Sequence, residues 1–204
     1  MKYLLLRVKV FYSDDNVNSQ NEATMPEAAV EQKQIGDAVI RLVKGDITEL
    51  EVDAFVFYAQ EDLTLGSGVG TAISVRGGPT VQKELQKLGP VAAGEAVVTA
   101  AGNLKANSII HAVGPKFQEE HIASKLRTTM RNTLRLADEK KIRRIAFPAM
   151  GAGYYGIAPD LSARVMFEVI RDHLSGTSGI AEVVVCVLDT PQYDAFQARL
   201  AALG

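Results

Sequence analysis

Gly66-Ser67-Gly68-Val69-Gly70 and Gly151-Ala152-Gly153-Tyr154-Tyr155-Gly156 are the two stretches that decide how this chain is read. Each follows an apolar run rich in β-branched or aromatic residues, which reads as a strand. Each precedes a segment with helical periodicity. A glycine-rich turn between strand and helix lets backbone N–H groups come close to a ligand, and the helix start adds a partial positive charge. One such turn is a weak signal. Two of them imply a ligand with two linked phosphates, held at the carboxyl ends of neighbouring strands.

Working outward, strands and helices alternate. Val30 to Gln34 and Ala38 to Val43 read as a hairpin about Gly36-Asp37. Asp53 to Tyr58, Ala96 to Ala100, Ser108 to Val113, Arg144 to Phe147 and Glu182 to Leu188 read as strands. Helices are expected over Gly70 to Arg76, Thr80 to Leu88, Glu119 to Lys140, Pro159 to Leu174 and Pro191 to Leu203. This order implies an α/β fold with helices on both faces of a largely parallel sheet. The N-terminal end stands apart. Leu4, Leu6, Val8 and Val10 alternate with Leu5, Arg7 and Lys9 as a half-buried strand would, and Ser13 to Met25 has the polar composition of a linker. We therefore divide the chain into an N-terminal strand and linker (1–27) and one main domain (28–204). An apolar strand needs an edge to pair with, so oligomerisation through it is one expectation.

Bulk properties narrow the function class. The chain has 204 residues and is 47% hydrophobic, enough for one domain and its core. A net charge of −2 argues against a broad nucleic-acid footprint. The single cysteine, Cys186, cannot form an internal disulfide and suggests a reducing, cytoplasmic setting. No apolar run approaches the ~18 residues of a membrane span, and Arg7 and Lys9 interrupt the only signal-peptide candidate. Cys186 sits in a Val-rich strand and reads as a packed thiol. His111 reads as a core or capping residue, and His121 and His173 as solvated. None has metal-ligand spacing, so no metal site is expected. Lys140, Lys141, Arg143 and Arg144 suit a helix C-terminus.

Gly151, Gly153 and Gly156 match the spacing of a dinucleotide fingerprint, but fall late in the chain. The candidate acid, Asp189, follows much further on than the ~20 residues that fingerprint requires. Another pattern accounts for more residues. Gly45-Asp46-Ile47-Thr48, Val52-Asp53-Ala54 and the loop ending in Val69 come first. Gly94-Glu95-Ala96, Ile109-Ile110-His111-Ala112-Val113-Gly114-Pro115 and Phe147-Pro148-Ala149 leading into Gly153-Tyr154-Tyr155-Gly156 follow in order. This ordered set, spanning about Ala28 to Leu203, resembles the macrodomain family. The resemblance implies a three-layer α/β/α fold with a mixed, largely parallel sheet. It also implies ADP-ribose or an ADP-ribosylated protein as partner, and no cofactor.

The resemblance further assigns roles. Asp46 would accept a hydrogen bond from the adenine amino group, and Ile47 would line the base pocket. Asp46 also reads as a cap on the short turn Ile47 to Leu50. Gly66, Ser67, Gly68, Val69 and Gly70 would hold one phosphate. Gly151, Ala152, Gly153, Tyr154, Tyr155 and Gly156 would hold the other. Tyr155 would pack on the distal ribose, or else merely anchor its loop. Leu188 stands where relatives often have an aromatic that stacks on adenine.

The departures bear on mechanism. Catalytic relatives have Asn-Ala-Ala-Asn where this chain has Phe57-Tyr58-Ala59-Gln60, so Gln60 replaces the asparagine at the distal ribose. Many hydrolases have an aspartate at the position of Gly70. Another branch uses a lysine in this loop, and Glu61 to Gly70 contains none. No catalytic residue is therefore assigned. The expectation is a binder of ADP-ribose or a related nucleotide diphosphate without efficient hydrolysis. The alternatives are an ADP-ribosyl or O-acetyl-ADP-ribose hydrolase working by substrate-assisted water attack, and an assembly domain whose cleft is filled by Phe57 and Tyr58.

Overall fold

The computed structural model describes residues 31–204. The strand expected over Leu4 to Val10, the linker after it and the boundary at residue 27 lie outside the described residues. Among the described residues, seven strands form one sheet: β1 (Glu31–Ile35), β2 (Ala38–Lys44), β3 (Ala54–Ala59), β4 (Ala96–Ala100), β5 (Ser108–Val113), β6 (Arg144–Pro148) and β7 (Glu182–Val187). Their order is β1-β2-β7-β6-β3-β5-β4. The five strands from β2 to β5 run parallel, and β1 and β4 close the two edges antiparallel. The sheet is thus mixed and largely parallel. In the β1–β2 hairpin, Gly36 takes the first loop position with φ +57°, as a two-residue type II′ connection requires.

Helices cover both faces. Helices α1 (Val69–Gly77) and α2 (Pro79–Leu88) pack Ile73, Val81 and Leu85 against Phe55, Ile109, Val113 and Val184. On the other face lie α3 (Ile122–Glu139), α4 (Pro159–Leu174) and α5 (Thr190–Ala201). Their Leu126, Met130, Phe167 and Phe196 meet Val56, Ile110, Phe147 and Val185. Side chains alternate between faces along a strand, so a strand covered on both sides must be apolar throughout. That explains why β7 reads Glu-Val-Val-Val-Cys-Val and is buried at every position.

Several boundaries differ from the sequence reading by a residue or more, and three of them have a clear local reason. Helix α3 begins at Ile122 rather than Glu119. Gln118 and His121 take φ of +57°, and the Glu119 carboxylate accepts from the Lys116 amide at 2.8 Å, which closes a separate turn. Helix α5 begins one residue before Pro191, because Asp189 caps it by accepting from the Gln192 amide at 2.8 Å. Strand β7 ends at Val187, and Leu188 stands clear of it with 61% of its surface exposed. His173 is not a solvated side chain. Its Nε2 lies 2.7 Å from Asp138 Oδ2, and Asp138 also accepts from Ser178 and Gly179, tying α3 to the chain after α4. Among the described residues, no helix is long and apolar enough to cross a membrane, and no three metal-binding side chains converge.

His111 lies fully buried in the middle of β5. Its Nε2 is 2.9 Å from the Thr99 hydroxyl, and its Nδ1 has no hydrogen-bond partner. Burial lowers its pKa from the ordinary 6.5 to about 4. The unfolded chain therefore binds the proton first as pH falls. His111 leaves stability untouched above pH ~6.5 and removes it between 6.5 and 4, by about 3 kcal/mol in all. Urea denaturation of the parent and His111→Leu at pH 7.5 and pH 4.5 checks this. The variant should lose markedly less stability over that interval, and parallel losses would remove His111 as the cause.

Candidate functional site

The cleft begins where two strands part. Strands β3 and β6 pair only at Ala54–Ile145 and Phe55–Ala146. Beyond that, β3 stays with β5 as far as Ala59–Val113, and β6 stays with β7 as far as Pro148–Cys186. Pro148 has no N–H to continue a ladder. The chain leaves β3 for α1 on one face and leaves β6 for α4 on the other. The carboxyl ends of β3 and β6 therefore flank a crevice at a switch point of the sheet, where α/β folds place their ligands. A cavity of about 370 Å³ occupies it.

The two glycine loops form opposite walls. From the first, Gly66, Ser67, Gly68 and Val69 line the cavity. Gly66 and Gly68 have φ of +60° and +62°, a left-handed conformation that suits glycine. Gly68 caps α1 and supplies no side-chain hydrogen bond; the Val69 amide donates to no other described residue, while that of Gly70 donates to the Ser67 carbonyl at 3.3 Å. From the second loop, Gly151, Ala152, Gly153 and Tyr155 line the cavity. Ser67, Gly68 and Gly153 donate their amides to no other described residue. These groups, on opposite walls, form a cradle for anionic oxygens. Tyr154 lies with Gly153 and Tyr155 in a 3-10 turn.

Ile47, Leu188 and Gln60 also border the cavity, as the sequence reading expects. Two glycines do not. Gly70 is buried beneath its loop, where a Cβ would fall 1.4 Å from the Leu65 carbonyl oxygen. Gly156 has φ +69°, and a Cβ there would meet the Phe117 ring at 2.3 Å. Both are glycines for packing reasons. Asp46 is not in the cavity wall either. It caps the 3-10 turn Ile47–Glu49: Oδ1 accepts from the Thr48 amide at 2.9 Å and the Thr48 hydroxyl at 2.7 Å. Arg76 of α1 donates to Oδ2 at 2.7 Å. Burial pushes the Asp46 pKa up, but the Thr48 hydrogen bonds and the Arg76 guanidinium outweigh it and hold the carboxyl below its usual range.

Several wall residues escape a motif search. Val56, Phe57 and Tyr58 come from β3, Pro148 and Ala149 from the end of β6, Cys186 from β7 and Gln192 from α5. Cys186 donates weakly to the Gly45 carbonyl at 3.4 Å, and burial raises its pKa to about 12. A thiol held so firmly protonated is packing, not a nucleophile. Tyr58 borders the cavity, but its hydroxyl is engaged elsewhere. Its hydroxyl donates to the Pro115 carbonyl at 2.6 Å, and its ring lies 4.4 Å from that of Tyr155. Gly114 makes room for it: a Cβ at that position would sit 2.1 Å from Tyr58 Cζ.

Comparison with known proteins agrees with this architecture. The Macro domain family model matches residues 58–166. A macro domain-containing protein of Caldanaerobacter subterraneus subsp. tengcongensis is 40% identical over 163 residues, 77% of this chain and 93% of the relative. The chain belongs to the macro domain family. The Oceanobacillus iheyensis macrodomain, solved as a mutant with ADPR, superposes with a TM-score of 0.82 at 28% identity, covering 86% of this chain and 98% of that one. The Trypanosoma brucei macrodomain, solved in complex with ADP-ribose, gives 0.73 at 26% identity, covering 78% and 68%.

Within this macrodomain, the glycine in place of the hydrolases' aspartate has a steric cause. Any side chain at Gly70 must push the α1 start away from Leu65, because a Cβ only 1.4 Å from a backbone carbonyl oxygen has no room. Gly70→Ala should therefore unfold or loosen the loop–helix junction, lowering the melting temperature by several degrees. A variant that melts with the parent would show that the loop can relax around a Cβ. Calorimetric melting of the pair decides between these outcomes.

Proposed function

We propose that this macrodomain binds ADP-ribose, free or attached to a protein, and does not hydrolyse it efficiently. The observation that carries the reading is the pair of facing glycine loops with open amides at Ser67, Gly68 and Gly153. Two loops suit two linked phosphates. The cavity volume of about 370 Å³ falls in the range typical of small-molecule sites. Ile47, Leu188 and Gln192 line one end and would take the adenine. Asp46 lies next to that end, already ionised and oriented by Thr48 and Arg76, with a lone pair to spare for the adenine amino group. Gln60 and Tyr155 would take the terminal ribose. The solved relatives that carry ADP-ribose support the same assignment. An assembly role is less well supported, because Phe57 and Tyr58 leave the cavity open. An intracellular setting, read from the lone cysteine, belongs to the same proposal.

Calorimetric titration tests binding. ADP-ribose should bind more tightly than AMP, which can occupy only one phosphate position. Gly153→Glu should abolish binding and leave the protein folded. A Cβ at Gly153 meets nothing within 4 Å, so the main structural penalty is its φ of +77°, about 1–2 kcal/mol. The new carboxylate would stand where the phosphates approach. Equal affinity for the two nucleotides, or a folded variant that binds like the parent, would remove the two-loop site.

The absence of turnover follows from what the wall offers. Gly70 supplies no carboxylate, Gln60 replaces an asparagine, Cys186 is protonated and no lysine lies in the first loop. A general acid or base typically contributes about 10²–10⁴-fold to rate. Single-turnover assays with excess protein should detect little release of ADP-ribose from a mono-ADP-ribosylated protein, or of acetate from O-acetyl-ADP-ribose. Clear release within minutes would establish the alternative, substrate-assisted hydrolysis.

A further inference from the structure

A second cavity, of about 280 Å³, adjoins the first. Gln60 and Tyr155 border both, so they form the partition between them. The far wall carries three charged groups, Glu61, Asp62 and Lys116. Two of these cancel: Lys116 donates to Glu61 Oε2 at 2.7 Å. Among the described residues, Asp62 has no cation partner. Its Oδ1 accepts from the Thr64 amide at 3.0 Å and the Thr64 hydroxyl at 2.9 Å, while Oδ2 accepts from no other described residue. Those hydrogen bonds from Thr64 also hold Asp62 below the usual carboxylate pKa, so it is ionised at neutral pH. Glu119, from the turn that follows Lys116, is occupied by the Lys116 amide and the Lys125 ammonium. The cavity therefore presents one uncompensated negative charge beside an aromatic ring.

The location gives this charge a meaning, provided the ADP-ribose reading above holds. Gln60 and Tyr155 are the residues set to hold the terminal ribose. The second cavity, directly past them, is open to whatever is bonded to that sugar. Its volume lies just below the ~300–1,000 Å³ typical of whole small-molecule sites, so it suits a single side chain rather than a second nucleotide. We propose that the second cavity seats the acceptor side chain joined to ADP-ribose, and that Asp62 selects a positively charged acceptor, the guanidinium of an ADP-ribosylated arginine. The guanidinium keeps its charge when one nitrogen carries the sugar. Its remaining N–H groups can meet a carboxylate as a planar fork, and its face can lie against Tyr155. A neutral ester- or hydroxyl-linked acceptor gains none of this.

The test compares one peptide ADP-ribosylated on arginine with the same peptide ADP-ribosylated on serine, alongside free ADP-ribose. Each is titrated into the parent and into Asp62→Asn at low ionic strength. Asparagine keeps an oxygen for the Thr64 contacts and removes the charge. The parent should bind the arginine-linked peptide about three- to fivefold more tightly than the serine-linked one, the size expected of an exposed ion pair. That preference should shrink in added salt and vanish in Asp62→Asn, with the affinity for free ADP-ribose unchanged. Equal binding of the two peptides, or a preference that survives Asp62→Asn, overturns the proposal while leaving the ADP-ribose reading standing. Failure of free ADP-ribose to bind overturns both.

Discussion

Everything functional in this molecule depends on one failure of pairing. Strands β3 and β6 are neighbours, yet only two residue pairs join them before they separate. On either side the ladders continue: β3 is held by β5 and β6 by β7. The sheet thus behaves as two slabs, hinged at Phe55 and Ala146 and open at their carboxyl ends. Phe57 and Tyr58 on one lip and Pro148 on the other keep a ladder from closing. The following helices lie on opposite faces, so no connection bridges the gap. The glycine loops follow on each lip, and residues of both line the crevice.

This geometry explains what was legible in the sequence. Strand and helix identity followed from apolar periodicity, and the parallel core from β7, whose residues are apolar on both faces after Glu182. The loops were legible because left-handed φ at Gly66, Gly68, Gly151 and Gly153 makes glycine the favoured residue. What escaped was the reason for individual glycines. Gly70 and Gly156 look like their neighbours in sequence, yet one faces Leu65 and the other faces Phe117. A composition pattern reports that a Cβ is unwelcome; it does not report whether a ligand or a side chain stands there. The wall residues Val56 and Cys186 were hidden for a related reason, because they read as ordinary strand interior. The helix ends also escaped where a side chain replaced a backbone partner, as Glu119 and Asp189 did.

Asp46 shows how a structural role prepares a residue for the proposed contact with adenine. Capping does not exclude that contact. Capping fixes Oδ1 through two hydrogen bonds from Thr48. Arg76 then holds Oδ2 and also reaches Thr48 and Glu49, joining the 3-10 turn to α1. A carboxylate so restrained loses little further freedom on accepting another donor, and it meets that donor ionised. Preorganisation of this kind lowers the entropic cost of recognition. The same Arg76 lies in the helix whose N-terminus faces the phosphate cradle, so the base end and the first loop are fixed to one rigid element.

The other end of the cleft follows a different logic. Where catalytic relatives have an alanine between their two asparagines, this chain has Tyr58. The ring needs space that Gly114 leaves by lacking a side chain, and its hydroxyl needs an acceptor, which Pro115 provides. Tyr155 then rests on Tyr58 and borders both cavities. Tyr58 is thus an aromatic support beneath an aromatic wall. Such a wall gains from contact area and from a cation lying against its face, and it offers nothing to activate a nucleophile. On this side of the cleft β3 therefore ends in an aromatic platform, with Gln60 and Tyr155 standing between the two cavities.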